Sequence, residues 1–117
     1  MNEGFAEENP EAVKGFLRAL TKGFADAVVD PAAGAAAVLA RNETLNLDTE
    51  TARLTMANEM NIKTPYVIEN GMGGVDEARL TASLETLKLS MGLKGAVTAA
   101  DVFDAQYLPL AEERMLP

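Results

Sequence analysis

Acid–base chemistry in this sequence falls to carboxylates, lysines and tyrosines, because neither histidine nor cysteine is present. That removes the Ser-His-Asp arrangement, the imidazole base, the thiolate nucleophile and the usual transition-metal ligands. The carboxylates that come in close spacing are Asp101 with Asp104 and Glu112 with Glu113, pairs that could serve general acid–base work or a hard cation. Neither pair brings a third ligand or a pocket-forming motif. Both read as solvated helix faces, so no catalytic residue and no metal ligand is assigned. Gly71, Gly73 and Gly74 stand just before a helix start, where free backbone N–H groups could cradle an anion. Asp76 at the cap opposes that, and the Lys and Ser/Thr of a phosphate loop are missing, so a plain turn is the simpler reading. Met56, Met60, Met72 and Met91 could line an adaptable groove or fill a core. Tyr66 and Tyr107 could stack on a heterocyclic ligand or pack internally. No ligand-binding residue is therefore specified, no cofactor is implied, and the expectation is a protein that is not an enzyme.

The elements that must position these groups are helices. A core of Ala, Leu, Val and Met with 5% aromatic residues suits an all-α fold, and 117 residues suit a single helical domain over 1–117. The governing stretch runs from Glu7 to Pro31. Asn9 is placed to cap it, Pro10 fits the first helical position, and Glu11 complements the positive end of the dipole. Val13, Phe16, Leu17, Leu20, Phe24 and Val28 recur at three- and four-residue steps on one stripe, which other helices or another chain must cover. Asp30-Pro31 ends this helix and caps an Ala-rich one reaching about Ala40.

Three substantial helices are thus expected at about residues 10–29, 49–61 and 77–91, with the Ala-rich helix between the first two and short terminal helices. Residues 1–8 read as a frayed or extended lead-in, with Phe5 able to dock. Asp48 is placed to cap the 49–61 helix with Leu47 stapled to Ala52, and its stripe is Ala52, Met56 and Met60. Tyr66-Val67-Ile68 reads as irregular. Asp76 caps the 77–91 helix, whose stripe is Leu80, Leu84, Leu87 and Met91; Gly92 closes it in the left-handed conformation and Leu93 folds back on the last turn. Thr98 with Asp101 forms a capping box for a short helix through Asp104, Tyr107-Leu108-Pro109 turns, and Leu110 to Leu116 forms a last frayed helix.

Three stretches in this order resemble a known family: Asn9-Pro10-Glu11 with Val13 and Phe16-Leu17-Arg18-Ala19, then Asp30-Pro31 with its Ala-rich follower, then Gly74-Val75-Asp76 with Arg79-Leu80. Together with Val97-Thr98-Ala99-Ala100-Asp101 and Tyr107-Leu108-Pro109, they resemble the C-terminal third of the solute-binding proteins of ABC importers. The branch is the one that binds nitrate, sulfonates, taurine or thiamine-pyrimidine precursors. The likeness covers roughly Phe5 to Pro109. It implies a fragment of a two-lobe α/β binding protein that captures a small organic nitrogen or sulfur compound without chemistry and delivers it to an ABC permease. It implies a periplasmic parent, whereas this chain shows no signal segment and would stay in the cytoplasm if expressed as written. Relatives that make the thiamine pyrimidine use a histidine, which is absent here, so no enzyme activity is carried over.

Ten basic against eighteen acidic residues give net charge −8. Nucleic acid is disfavoured as a partner, because counterion release needs clustered Lys and Arg. No apolar run approaches the roughly 20 residues that cross a bilayer, so no membrane insertion is expected. The exposed stripes of a chain lacking its other lobe point to a homo-oligomer. The alternative function is accordingly a stand-alone helical self-association module with no small-molecule ligand.

Overall fold

The computed structural model describes residues 2–92 and 95–117, so the expected fold-back of Leu93 lies outside it. The described residues are all-helical, with no strand among them. Their contacts gather into two units, Met1–Gly73 with Leu108–Pro117, and Gly74–Tyr107.

The first unit begins earlier than its sequence suggests. Asn2 Oδ1 accepts the Phe5 amide at 3.2 Å and opens α1, Glu3–Glu8, in place of a frayed or extended lead-in. The long helix α2, Pro10–Val29, follows, with Pro10 in its first turn. Asn9 occupies the cap position without capping through its side chain; its Nδ2 instead donates to Phe5 O at 3.2 Å, closing the end of α1. Asp30 stops α2 and accepts the Ala33 amide at 2.9 Å, which starts α3, Pro31–Leu39.

Helix α4, Leu47–Ala57, is capped by Asn46, which accepts the Thr49 amide at 3.0 Å two residues before the expected Asp48. Asn46 wins because it alone combines extended backbone with a side chain reaching the third amide beyond it. The helix then widens into a π turn, Asn58–Ile62, closed by Lys63 N–H to Asn58 O at 2.8 Å. Tyr66-Val67-Ile68 is helical, inside α5, Pro65–Asn70: Thr64 Oγ1 accepts the Val67 amide and Pro65 sits at the first position. The chain closes with α8, Ala111–Arg114.

α3 packs on both α2 and α4, and α8 and α1 pack on α2. Gly34 makes the α3 packing close, since a Cβ there would lie 2.8 Å from Leu54 Cδ2 and 3.3 Å from Ala27 Cβ. The buried apolar side chains of this unit are Ala6, Val13, Ala35 and Met72, joined by the buried Asn58. Small residues dominate, so the interior is thin.

That thinness redistributes the expected stripes. On α2 only Val13 is buried, with Leu17 and Val28 half-buried, while Phe16, Leu20 and Phe24 are 57%, 45% and 46% exposed. α4 turns Leu54, Ala57 and Asn58 away from solvent instead of Ala52, Met56 and Met60, because the contact with Gly34 fixes its rotation. Met56 and Met60 stand in solvent.

The second unit holds α6, Glu77–Met91, and α7, Ala99–Val102, which pack together, and the single turn Ala105–Tyr107. Asp76 Oδ1 accepts the Arg79 amide at 2.7 Å, and Gly92 closes α6 at φ 60°, a left-handed conformation that favours glycine. Leu84 is buried and Leu80 half-buried; Leu87 and Met91, expected on the same stripe, are exposed. The Thr98–Asp101 capping box forms, but α7 ends at Val102, because Asp104 turns to accept the Gln106 amide at 3.0 Å.

Candidate functional site

Three of the four carboxylates singled out by their spacing, Asp101, Asp104 and Glu113, have local structural partners. Asp101 Oδ2 accepts both the Thr98 hydroxyl, at 2.7 Å, and the Thr98 amide, at 2.8 Å. The hydroxyl first, and the amide second, hold its pKa below the ordinary carboxylate value of 3.8, the opposite of what a general acid needs. Asp104 is engaged with the backbone and side chain of Gln106. Glu113 accepts the Leu110 amide at 3.1 Å and pairs with Arg18 of α2 at 2.9 Å, so it holds α8 on the long helix. Glu112 is exposed. No group of three potential metal ligands gathers among the described residues.

The start of the glycine cluster, Gly71 and Met72, is a buried turn whose two amides are engaged by the protein, whereas Gly73 is exposed. Gly71 N–H donates to Val67 O at 2.8 Å and Met72 N–H to Arg114 O at 2.9 Å. Arg114 returns the contact through its guanidinium, donating to the carbonyls of Met72 and Pro109. Gly71 has φ 79°, and a Cβ there would press within 3.2 Å of the Arg114 backbone. The turn thus clamps the C-terminal segment of its unit. Met72 is buried beside it, whereas Met56, Met60 and Met91 are exposed; Tyr66 and Tyr107 are half-buried.

Two features escape a reading of sequence motifs. The first is Asn58, 4% exposed, whose Nδ2 donates to Ala27 O at 2.8 Å. In an uninterrupted helix that carbonyl would accept the amide four residues on, but position 31 is proline and has no N–H. Asn58 supplies the donor that Pro31 lacks, tying α4 to the end of α2. The second is the outward side of α2. Ala12, Phe16, Ala19, Leu20, Gly23 and Phe24 are all exposed there and none carries charge. The cations of this helix lie elsewhere on it, each ion-paired: Lys14 with Glu11 at 3.0 Å, Arg18 with Glu113, and Lys22 with Asp26 at 2.7 Å.

Within the second unit, a cleft of about 410 Å³ runs between α6 and residues 97–100, floored by Leu84 and rimmed by Glu77, Thr81 and the Glu85–Lys88 ion pair. Its size falls in the range of small-molecule sites. No helix among the described residues is long and apolar enough to cross a membrane. Comparison with family models, curated proteins and solved structures finds no match to the chain.

Proposed function

We propose that the chain is a solute-binding component of an ABC importer for small organic nitrogen or sulfur compounds, or the helical part of one, working by non-covalent capture with no chemistry of its own. The supporting observation is that large apolar side chains stand in solvent: Phe16, Leu20 and Phe24 on α2, Met56 on α4 and Met60 on the π turn that follows it. Helices that cover a sheet or a second lobe carry such faces, and the ordered likeness described above names a lobe of this type. In that setting the partners are the rest of the binding protein and the importer's permease, and the parent acts in the periplasm. A chain without histidine or cysteine suits a binding role better than a catalytic one.

An immunoblot of source cells with an antibody to this chain tests the reading. A much larger exported band, whose purified protein gains thermal stability from a nitrate, sulfonate or pyrimidine ligand, is the expected result. A 12.4 kDa band confined to the cytoplasm, with no ligand shifting its melting, would overturn it. The second reading, a self-association module without a small-molecule ligand, is favoured by the uncharged outward side of α2. It requires melting that rises with protein concentration instead of with ligand.

A further inference from the structure

Residues 12–24 of α2 carry an exposed side that is complementary to itself. Ala12, Phe16, Ala19, Leu20 and Gly23 are exposed, recur at steps of three and four, and so share one side of a 3.6-residue helix. When two copies of this side meet antiparallel, with the twofold axis passing between Ala19 and Leu20, each position meets the one that completes the same sum of residue numbers. Phe16 then lies against Gly23 of the second copy, and Leu20 against Ala19. Every large side chain faces a small one, and the twofold repeats each pairing.

The hole for the ring is present already. A Cβ placed on Gly23 would meet nothing within 4 Å, so the space above that glycine is free to receive a phenyl group. Phe16 is 57% exposed and supplies one. The side carries no charge, so pairing buries no unpaired ion, and Lys14, Arg18 and Lys22 keep their existing partners. Phe16, Leu20 and Phe24 leave roughly 300 Å² of apolar surface open on each copy, taking 150–250 Å² as the area such side chains can bury. The two copies together bring about 600 Å² of such surface, to which the small residues between them add, so the contact falls at the small end of interfaces, where association is weak and reversible.

We propose that this 117-residue chain forms an antiparallel homodimer through α2, with Phe16 of each copy seated over Gly23 of the other. The inference stands apart from the importer reading, because it needs no ligand and no further segment. An interface of this area dissociates on dilution, so the assembly is a concentration-dependent equilibrium.

Sedimentation equilibrium over roughly a hundredfold range of concentration tests it. The wild-type chain is expected to shift from monomer to dimer across the range. Gly23→Leu fills the hole and Phe16→Ala removes the knob; each is expected to weaken association at least tenfold. Both positions are solvent-facing and both changes favour helix, so far-UV circular dichroism should show helix content unchanged. The double variant Phe16→Ala/Gly23→Leu exchanges knob and hole, and is expected to recover dimerisation to within a few-fold of wild type. A wild-type monomer at every concentration overturns the proposal. So do single variants that associate like wild type, or a double variant no better than the singles. A ligand-induced rise in melting temperature would bear on the importer reading and leave this result untouched.

Discussion

Replacing Asn58 with alanine isolates the interaction that ties α2 to α4. The Asn58 amide is the donor for Ala27 O, at 2.8 Å, in place of the N–H that Pro31 does not have. In the variant, the bond is lost and a half-buried carbonyl at the end of α2 is left without a protein donor. A lost bond whose partner stays shielded costs about 1–3 kcal/mol, and a residue at 4% exposure allows little water to substitute, so we expect about 2 kcal/mol. For a chain of this size that lowers the melting temperature by about 10 °C, readable by circular dichroism at 222 nm. Asn58→Asp should cost more at neutral pH, because it sets a carboxylate oxygen against the carbonyl oxygen where a donor stood. Were both variants to melt within about 0.5 kcal/mol of wild type, in the range of ordinary surface substitutions, Ala27 O would have to be satisfied some other way and the reasoning would fail.

Two helical glycines, one packed and one open, should respond oppositely. Gly34→Ala gains about 1 kcal/mol of helix propensity but forces a methyl to 2.8 Å from Leu54 and 3.3 Å from Ala27, so a net loss of about 1 kcal/mol is expected in chemical denaturation. Gly15→Ala meets nothing within 4 Å and should stabilise by about 1 kcal/mol in the same assay. Leu84→Asp puts a charge at the buried apolar position of the second unit and should cost about 3 kcal/mol, seen as loss of amide protection in α6 and α7; wild-type melting would mean that this face is solvated. Asp101 has a folded pKa below 3.8, so its cap is fully stabilising above about pH 3.8 and is lost as pH falls through the lower folded value. Acid titration followed by amide exchange at Thr98 should show α7 opening in that window, and Asp101→Ala should abolish the dependence.

The parts of the fold legible in the sequence are those decided within four residues. Asp30-Pro31 both stops one helix and starts the next, Asp76 and Gly92 bracket α6, and Thr98 with Asp101 caps α7, because each depends on side-chain reach to nearby amides or on one backbone conformation. The start of α4 is misplaced because two neighbours compete. Asn46 and Asp48 both suit a cap, and the extended backbone at position 46 decides. Rotation of the helices about their own axes is not decided locally. Ala52, Met56 and Met60 form as good a stripe as Leu54, Ala57 and Asn58 until Gly34 draws Leu54 inward.

Asn58 and the outward side of α2 escape for a shared reason: both answer a deficit that lies elsewhere. A buried asparagine in an apolar surrounding looks unfavourable until Pro31 is seen to leave Ala27 O without a donor; the proline was the available signal. Six large apolar residues on α2 look like one core stripe, but with α1, α3 and α8 packed on the helix only Val13 is buried and Leu17 and Val28 half-buried. What remains outside is bulky, uncharged and regularly spaced with glycine and alanine. Net charge of −8 opposes the approach of two such chains, and at physiological ionic strength a Debye length of about 8 Å screens much of that repulsion. If the outward side of α2 is an interface, association must therefore strengthen as salt is added, since apolar contact persists while repulsion fades. An assembly held by ion pairs would weaken instead, so the sign of the salt dependence separates the two physical origins without any change to the sequence.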